Sequence, residues 1–271
     1  MQFIKTYFIS NPSSSQVLLY TAIILSLWLT EGFILSTSFK DKWKHTFTNL
    51  LFIFTALPVQ LFMTIFVLIV SGWVTVNHWG LLYLLPHANS IFVKYILGFI
   101  LLDFCEYVYH VIMHKTKPLW KFHLVHHSDM ELDVSTTVRE HPAETFVRMC
   151  FLILWVYCLG ASFGVLLLRQ TIQTVSNITS HTQFRLSGRT EKIISYFFIT
   201  PNLHHVHHHY QLPYTDCNYG DVLSIWDRIF KTYGDPLPMR AITFGIDTHM
   251  NKKVNTSFVE ILKTPFRKIS E

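Results

Sequence analysis

Residues 201–210 read PNLHHVHHHY and place five histidines within six positions. Neutral imidazole is the side chain that most often binds transition metals, so this run is a candidate metal site. The run by itself does not choose between two registers, which point different side chains at a metal. Both have the spacing H-x-x-H-H: one uses His204, His207 and His208, the other His205, His208 and His209.

Three earlier segments carry histidines at a similar spacing. YHVIMHK holds two histidines four residues apart, WKFHLVHHS holds three at positions i, i+3 and i+4, and NITSH ends on one. Residues three and four apart share one face of a helix, which brings their ring nitrogens within reach of a common ion. Imidazoles this close repel each other when protonated, whereas metal binding uses them neutral. The candidate ligands in these segments are His110, His114, His123, His126, His127 and His181.

An internal match helps to choose the register of the last run. Residues 122–127, FHLVHH, align with residues 203–208, LHHVHH, with the leading apolar residue, the valine and the paired histidines in step. The match favours the first register, and the other two histidines of the run then become neighbours of the site. The candidate ligands of the last run are therefore His204, His207 and His208.

The candidate set contains nine imidazoles, which is more than a single ion can bind. A zinc ion takes about four ligands, and its structural sites favour thiolates. Nine ligands suit two metal ions with open coordination positions, and nitrogen-rich sites of this kind are typical of iron and oxygen chemistry. Three acidic residues lie close enough in the sequence to support the ligands by hydrogen bonding. These are Asp103, Glu106 and Glu140.

Four segments resemble the motifs of the fatty acid hydroxylase/sterol desaturase superfamily, whose members are membrane-bound diiron oxygenases with histidine boxes. DFCEYVYHVIMH and LWKFHLVHHSD resemble its first two boxes, STTVREHPAE its R-x-H-P segment, and TPNLHHVHHHYQLPYTDCNYGDVLSIWDRIF its last box and tail. The resemblance covers about residues 95–235. In that family a proline lies three residues before the first ligand of the last box, as Pro201 lies before His204 here.

The resemblance implies two non-heme iron ions, for which zinc can substitute in purified protein. It also implies that the nine histidines are both the metal ligands and the catalytic residues. Asn177, four residues before His181, is an additional candidate ligand because related proteins place a further ligand there. His141 of the R-x-H-P segment is expected beside the site in a supporting role. Gln183 stands where the family commonly has an asparagine.

The implied reaction is the oxygen-dependent hydroxylation or desaturation of a C–H bond of a lipid. The residues leave both reactions open. They also leave open the lipid: a sterol, a fatty acyl chain, a carotenoid, an alkylglycerol or a sphingoid base. The sequence contains no heme-binding signature, no G-x-G-x-x-G before a helix and no iron–sulfur cysteine set. We therefore expect a separate electron donor of the ferredoxin or cytochrome type.

Composition and apolar runs predict an all-α integral membrane protein. The 271 residues are 50% hydrophobic and 14% charged, whereas a soluble domain has about 25% charged residues. Apolar runs cover residues 17–36, 49–73, 91–113 and 145–180. A hydrocarbon core of about 30 Å needs about 20 helical residues, so the last run is too long for one span. We expect about four transmembrane helices, or three plus a helical hairpin.

The charged loops predict the orientation and the domains. Lysines and arginines flank the apolar runs, whereas residues 74–90 contain neither. The positive-inside rule therefore places the charged loops in the cytoplasm, together with a helical cap that carries the histidine boxes. Most of the net charge of +5 lies in these loops, so nucleic-acid binding is not expected. The predicted parts are N-terminal transmembrane helices over 1–90, a fatty acid hydroxylase-like catalytic domain over 91–235 and a cytoplasmic tail over 236–271.

Two other classes of function fit parts of the pattern. A membrane-surface metal hydrolase could use histidine-bound ions to activate water, but such sites normally include carboxylate ligands, and none lies between the histidines of a box. A non-catalytic metal-binding or transport protein would place its ligands near the middle of its spans, whereas these histidines cluster past span ends. Four remaining histidines match no motif and are expected to be ordinary loop residues: His45, His78, His87 and His249.

Overall fold

The computed structural model describes residues 12–34, 38–86 and 90–267. His87 and the outer ends of the 1–90 and 236–271 segments lie outside the described residues. The longer helices are α1 (Pro12–Ile34), α2 (Phe39–Val76), α4 (Ile91–Lys115), α5 (Lys117–His127), α6 (Pro142–Leu159) and α7 (Phe163–Ser180), with the short α3 (Leu81–Leu84) between α2 and α4.

The rest of the described chain consists of short helices and irregular segments. The short helices are α8 (Gly188–Ile194), α9 (Pro201–His207), α10 (Ile225–Ile229), α11 (Lys252–Asn255) and α12 (Phe258–Lys263). Within the described ranges, extended pairing is limited to two isolated bridges, so the expected all-helical architecture is confirmed for these residues. His78 follows α2 in a turn, and His249 ends a single 3-10 turn, as expected of loop histidines.

Two helical stretches are long and apolar enough to cross a membrane, Phe39–Leu84 and Pro142–Leu159. Along α2, large apolar side chains such as Phe54, Leu61 and Ile69 are exposed. Apolar surface of this extent is suited to contact with lipid. Helices α1 and α4 cover the two other predicted runs, but the count of four spans and the cytoplasmic position of the cap remain predictions.

The long helices pack in pairs around an apolar core. α2 lies along α6, and α4 lies along α7. The core between them contains Met63, Val67, Leu102, Met149 and Val156. Burial of these side chains fixes the relative positions of the helices whose ends carry the histidine boxes.

The apolar run over 145–180 forms two helices, α6 and α7, separated at Gly160. This glycine has a φ of 74°, a left-handed conformation that side chains with a Cβ disfavour. A Cβ at Gly160 would also lie 2.1 Å from the carbonyl oxygen of Trp79. Glycine therefore allows the end of α6 to pack against the loop before α3. The run that was too long for one span thus forms two helices.

A buried network of charged groups joins α1 and α2 to the segment after α5. The Lys42 amine lies 2.9 Å from a carboxylate oxygen of Glu31 and 2.9 Å from one of Asp133. His45 Nε2 lies 2.8 Å from Asp129 Oδ1. Removing one partner from such a buried pair leaves an uncompensated charge. The expectation that His45 is a loop residue is wrong. α2 begins ten residues before the apolar run over 49–73 that predicted this helix, so His45 lies within α2.

Arg139, the arginine of the R-x-H-P segment, completes this network. Its side chain is fully buried. It donates hydrogen bonds to the Val125 carbonyl at 2.9 Å, to Ser128 Oγ at 2.8 Å and to Asn49 Oδ1 at 3.2 Å. Arg139 therefore ties α2 to the C-terminal end of α5, which carries three of the candidate ligands.

Candidate metal centre

The nine histidines predicted as ligands come together where several helices end. α4 supplies two, α5 supplies three, the residue capping α7 supplies one, and α9 with its capping residue supplies three. They form two groups, and the candidate ligand atoms of each group lie within 4.8 Å of one another. The five-histidine group is His110, His114, His123, His127 and His207; the four-histidine group is His126, His181, His204 and His208.

Ring nitrogens from different boxes approach each other closely. The Nε2 atoms of His110 and His123 are 3.1 Å apart in the five-histidine group. In the four-histidine group, His181 Nε2 lies 3.1 Å from the Nε2 atoms of both His126 and His204. The groups also touch each other, because the rings of His127 and His208 stack with centroids 4.4 Å apart. Two ions held by these groups would be neighbours in one site.

The opposite ring nitrogens are held by the backbone. His110 Nδ1 lies 2.8 Å from the Tyr219 carbonyl oxygen, and His207 Nδ1 lies 2.7 Å from that of Cys217. His181 Nδ1 lies 2.7 Å from the Asn177 carbonyl oxygen, and His126 Nδ1 lies 3.2 Å from that of Arg139. A carbonyl oxygen can only accept, so each Nδ1 must carry the proton and each Nε2 a lone pair. This tautomer presents Nε2 to a metal.

The donor set fits a pair of metal ions. Burial lowers the pKa of His123 to about 3, with a further contribution from the positive charge of Arg148. Burial likewise lowers the pKa of His181 to about 4. Neutral rings with Nε2 lone pairs facing each other at 3.1 Å repel unless a cation lies between them. His207 Nε2 and both ring nitrogens of His127 are buried with no hydrogen-bond partner in the described chain, as ligand atoms would be.

The two surplus histidines of the last run have other contacts. His205 Nε2 lies 2.8 Å from the Thr182 carbonyl oxygen. His209 Nδ1 accepts a hydrogen bond from the Thr243 amide at 3.1 Å. Neither ring belongs to either histidine group. The histidines of the last run that the structure brings together are therefore those of the first register, His204, His207 and His208.

The three acidic residues expected to support the ligands contact other partners. Asp103 accepts from the indole nitrogen of Trp226 at 2.8 Å, and Glu106 pairs with Arg169 at 2.5 Å. Glu140 pairs with Arg148 and accepts from Thr145. Among the described residues, none of these three carboxylates contacts a ring nitrogen of a box histidine, because each is held by these other groups.

Glu144, which the sequence did not single out, hydrogen-bonds to a box histidine. Its Oε1 lies 2.6 Å from His123 Nδ1. Glu144 lies in the first turn of α6, which starts at Pro142 with His141 as its N-cap. The H-P dipeptide is a sequence signal for a helix that starts at Pro142. A helix with this start turns Glu144, rather than Glu140, toward α5, so the signal could have identified Glu144.

His141 and Asn177 both support neighbouring elements. His141 Nδ1 accepts from the Ala143 amide at 3.0 Å and caps α6. Asn177 holds His181 through its carbonyl oxygen, while its side-chain amide donates to Asp221 Oδ1 at 2.7 Å. The Asn177 side chain is thus engaged by Asp221 in this structure.

A cavity of about 420 Å³ reaches the histidines from one side. Its walls come from α2, α4, α6 and α7, and the volume is that of a small-molecule site. The exposed lining residues Leu57, Gln60 and Gln170 mark its opening between α2 and α7. Five of the nine histidines line its inner end: His110, His123, His126, His181 and His204.

The chain is similar in sequence to several known proteins. The chain is 31% identical over 171 residues to the ornithine lipid hydroxylase OlsE of Rhizobium tropici, covering 63% of this chain and 50% of that protein. It is 31% identical over 145 residues to human alkylglycerol monooxygenase (50% of this chain, 29% of that protein). It is 26% identical over 165 residues to human cholesterol 25-hydroxylase (59% and 60%).

The chain thus spans half the length of the first of these relatives and less than a third of the second. No solved structure matches it. The family described as fatty acid hydroxylase matches residues 95–232, a segment that contains all nine box histidines and the cavity walls from α4, α6 and α7. The chain belongs to the fatty acid hydroxylase family.

Proposed function

We propose that the protein is a membrane-bound lipid hydroxylase that holds two iron ions between its nine box histidines. The observation that carries the proposal is the convergence of buried Nε2 atoms at the inner end of a cavity that opens beside an apolar helix. The names of the relatives, which are hydroxylases or monooxygenases of an ornithine lipid, alkylglycerol and cholesterol, support the reaction class.

Each group of histidines would hold one ion. The ions supply the activation of O2 when bound, and the protein supplies the surroundings. Backbone carbonyls orient His110, His126, His181 and His207, and Glu144 orients His123. Second contacts of this kind fix the tautomer and raise the basicity of a metal-bound imidazole. Burial of the rings keeps bulk water away from the reacting atoms.

The reaction needs partners beyond the lipid. Insertion of one oxygen atom into a C–H bond consumes one O2, two electrons and two protons, and the second oxygen atom leaves as water. We propose a separate donor of the ferredoxin or cytochrome type as the source of the electrons. We propose hydroxylation rather than desaturation, because the named relatives are hydroxylases and a monooxygenase.

We also propose that the protein crosses the membrane about four times with the histidine boxes on the cytoplasmic face. The two candidate spans and the exposed apolar side chains of α2 support membrane insertion. The positive loops support the orientation. In this arrangement α2, from the transmembrane segment over 1–90, and the catalytic segment over 91–235 enclose a cavity that a lipid enters from the side, and the tail over 236–271 lies in the cytoplasm.

The test is to purify the protein with iron under anaerobic conditions, measure bound metal, and then add a donor system, lipid extract and labelled oxygen. We expect about two iron ions per chain and one 18O atom from 18O2 in a hydroxylated lipid. Zinc-loaded protein is the control, since zinc fills the ligands without redox chemistry.

The source of the oxygen atom separates the competing functions. Label arriving from H218O rather than 18O2 would indicate a metal hydrolase. Metal binding without any lipid product or oxygen uptake would indicate a non-catalytic metal-binding or transport protein, and either outcome would overturn the proposal.

A further inference from the structure

The cavity beside the histidines is lined by charged and amide groups to a degree that an apolar substrate does not require. Two ion pairs lie in its walls, Glu106 with Arg169 and Glu140 with Arg148. The amides of three glutamines and Asn177 also line it. A sterol ring or a mid-chain acyl segment filling this space would desolvate these groups without offering them a hydrogen bond.

Two carboxylates in the lining are left without a cationic side-chain partner. Asp221 accepts from Asn177 through Oδ1 at 2.7 Å, while its Oδ2, beside Gln173, is buried and meets no hydrogen-bond partner in the described chain. Glu144 contacts His123 through Oε1, and its Oε2 is likewise buried and unpartnered. The lining thus holds four carboxylates and two guanidinium groups. Both unpartnered oxygens can only accept hydrogen bonds when ionised.

Asp221 is the better placed of the two to meet a ligand, because Glu144 is already engaged by a histidine. The charge of Arg169 acts on Asp221, but the Arg169 guanidinium is paired with Glu106, and among the described residues no cationic side chain lies within ion-pair distance of Asp221. A ligand with a positive charge and N–H donors would supply Asp221 with both the missing cation and the missing hydrogen bond.

We infer that the cavity receives the polar head of a lipid that carries a protonated amine, and that Asp221 accepts a hydrogen bond from that amine. The inference rests on the proposed function for the reaction that follows binding. It assigns the substrate class of the site as an amphiphile with a cationic amino head, whose apolar tail leaves the cavity at Leu57, Gln60 and Gln170 toward the membrane.

The position of Asp221 also limits which carbon reacts. Asn177 contacts Asp221 with its side chain and His181 with its carbonyl oxygen. Two residues before Asp221, the Tyr219 carbonyl contacts His110. Asp221 is therefore linked to the four-histidine group through Asn177, and it lies two residues along the chain from the Tyr219 carbonyl that holds the five-histidine group. An amine held there places the head group and the carbons next to it, and not the far end of the tail, beside the metals.

Binding can be measured apart from turnover. The probes are two lipids of equal chain length, an N-acyl ethylenediamine and the matching N-acyl ethanolamine, which differ in an ammonium and a hydroxyl group. Iron-loaded protein in nanodiscs, without an electron donor, is titrated with each radiolabelled lipid. A charge-assisted hydrogen bond predicts about tenfold tighter binding of the amine. Asp221→Asn, which keeps the acceptor for Asn177, is expected to remove this preference, and Asp235→Asn, at an exposed position outside the cavity, is the control.

The outcomes separate this inference from the proposed function. Equal binding of both lipids by the wild-type protein overturns the inference without any variant, so a poorly folded Asp221→Asn protein cannot conceal the answer. A preference that survives in Asp221→Asn also overturns it. With the donor system added, 18O in the head group or on the adjacent carbons supports it, and 18O far along the tail contradicts it while leaving the hydroxylase proposal standing. A preference for the amine with no 18O in any lipid supports the binding site and overturns the proposed reaction.

Discussion

Replacing Glu144 by glutamine tests whether the carboxylate that contacts a box histidine helps to hold the metals. Glu144 Oε1 lies 2.6 Å from His123 Nδ1, in a buried position. Glutamine keeps an acceptor of the same shape but removes the negative charge. Because a charge-assisted hydrogen bond is roughly twice as strong as a neutral one, the change should cost about 1.5 kcal/mol of metal-binding free energy.

That free energy corresponds to about a tenfold loss of affinity. Glu144→Ala, which removes the acceptor altogether, is expected to lose up to about 100-fold, the upper range for residues that orient a metal-bound histidine. Affinity is measured by competition with a fluorescent chelator, using the detergent-solubilised protein and zinc or iron(II).

The matched control is Glu140→Gln, four residues earlier in the same segment. Glu140 pairs with Arg148 and Thr145 and lacks a contact to a box histidine among the described residues. We expect its metal affinity to stay within about twofold of the wild type. Equal losses in the Glu140 and Glu144 variants, or an unchanged Glu144→Gln protein, would refute the reasoning from the hydrogen bond.

Three further predictions follow from the geometry. His207→Ala should abolish activity and His209→Ala should largely spare it in a product assay, because only His207 lies in a histidine group; equal losses would contradict the register. The metal-free protein should lose stability as the pH falls from about 6.5 to about 4, because over this range histidines of the unfolded chain bind protons whereas the buried rings of His123 and His181 stay neutral. Thermal unfolding at several pH values measures this loss. An unfolding temperature that does not change over this pH range would contradict neutral rings in the folded protein. Gly160→Ala should lower the unfolding midpoint, with a cost of about 2 kcal/mol from the positive φ and the close Trp79 oxygen; Gly72→Ala, where a Cβ meets nothing within 4 Å, is the control and should not show that loss.

The features that depend on local spacing were predictable from the sequence. The boxes follow helical periodicity, and the structure places their members on common faces of α4, α5 and α9. The match between FHLVHH and LHHVHH selected the register in which His204 and His207 lie in the groups. The apolar run over 145–180 was too long for one span, and its break at Gly160 follows from that length and the glycine.

Features that depend on contacts between distant segments could not be predicted from spacing. The pairing of His45 with Asp129 joins residues 84 positions apart. The choice of Glu144 over Glu140 depends on how α6 is rotated against α5, which the packing of α6 along α2 determines. The polar lining of the cavity likewise arises from four helices together with loop residues such as Glu140 and Asp221, and no single segment of the sequence shows it.

The buried charges around Lys42 bear on how the protein can be divided. The segment that matches the family, residues 95–232, contains Asp129 and Asp133 but not Lys42 or His45, their partners in α2. Glu31 of α1 also accepts a hydrogen bond at 2.9 Å from the amide of Gln183, two residues after His181. A recombinant fragment trimmed to the matching segment would thus leave Asp129 and Asp133 without their partners in α2, beside the candidate metal centre. The first two helices therefore support the candidate metal centre, and an exchange of these helices between relatives would have to include Glu31, Lys42 and His45 together.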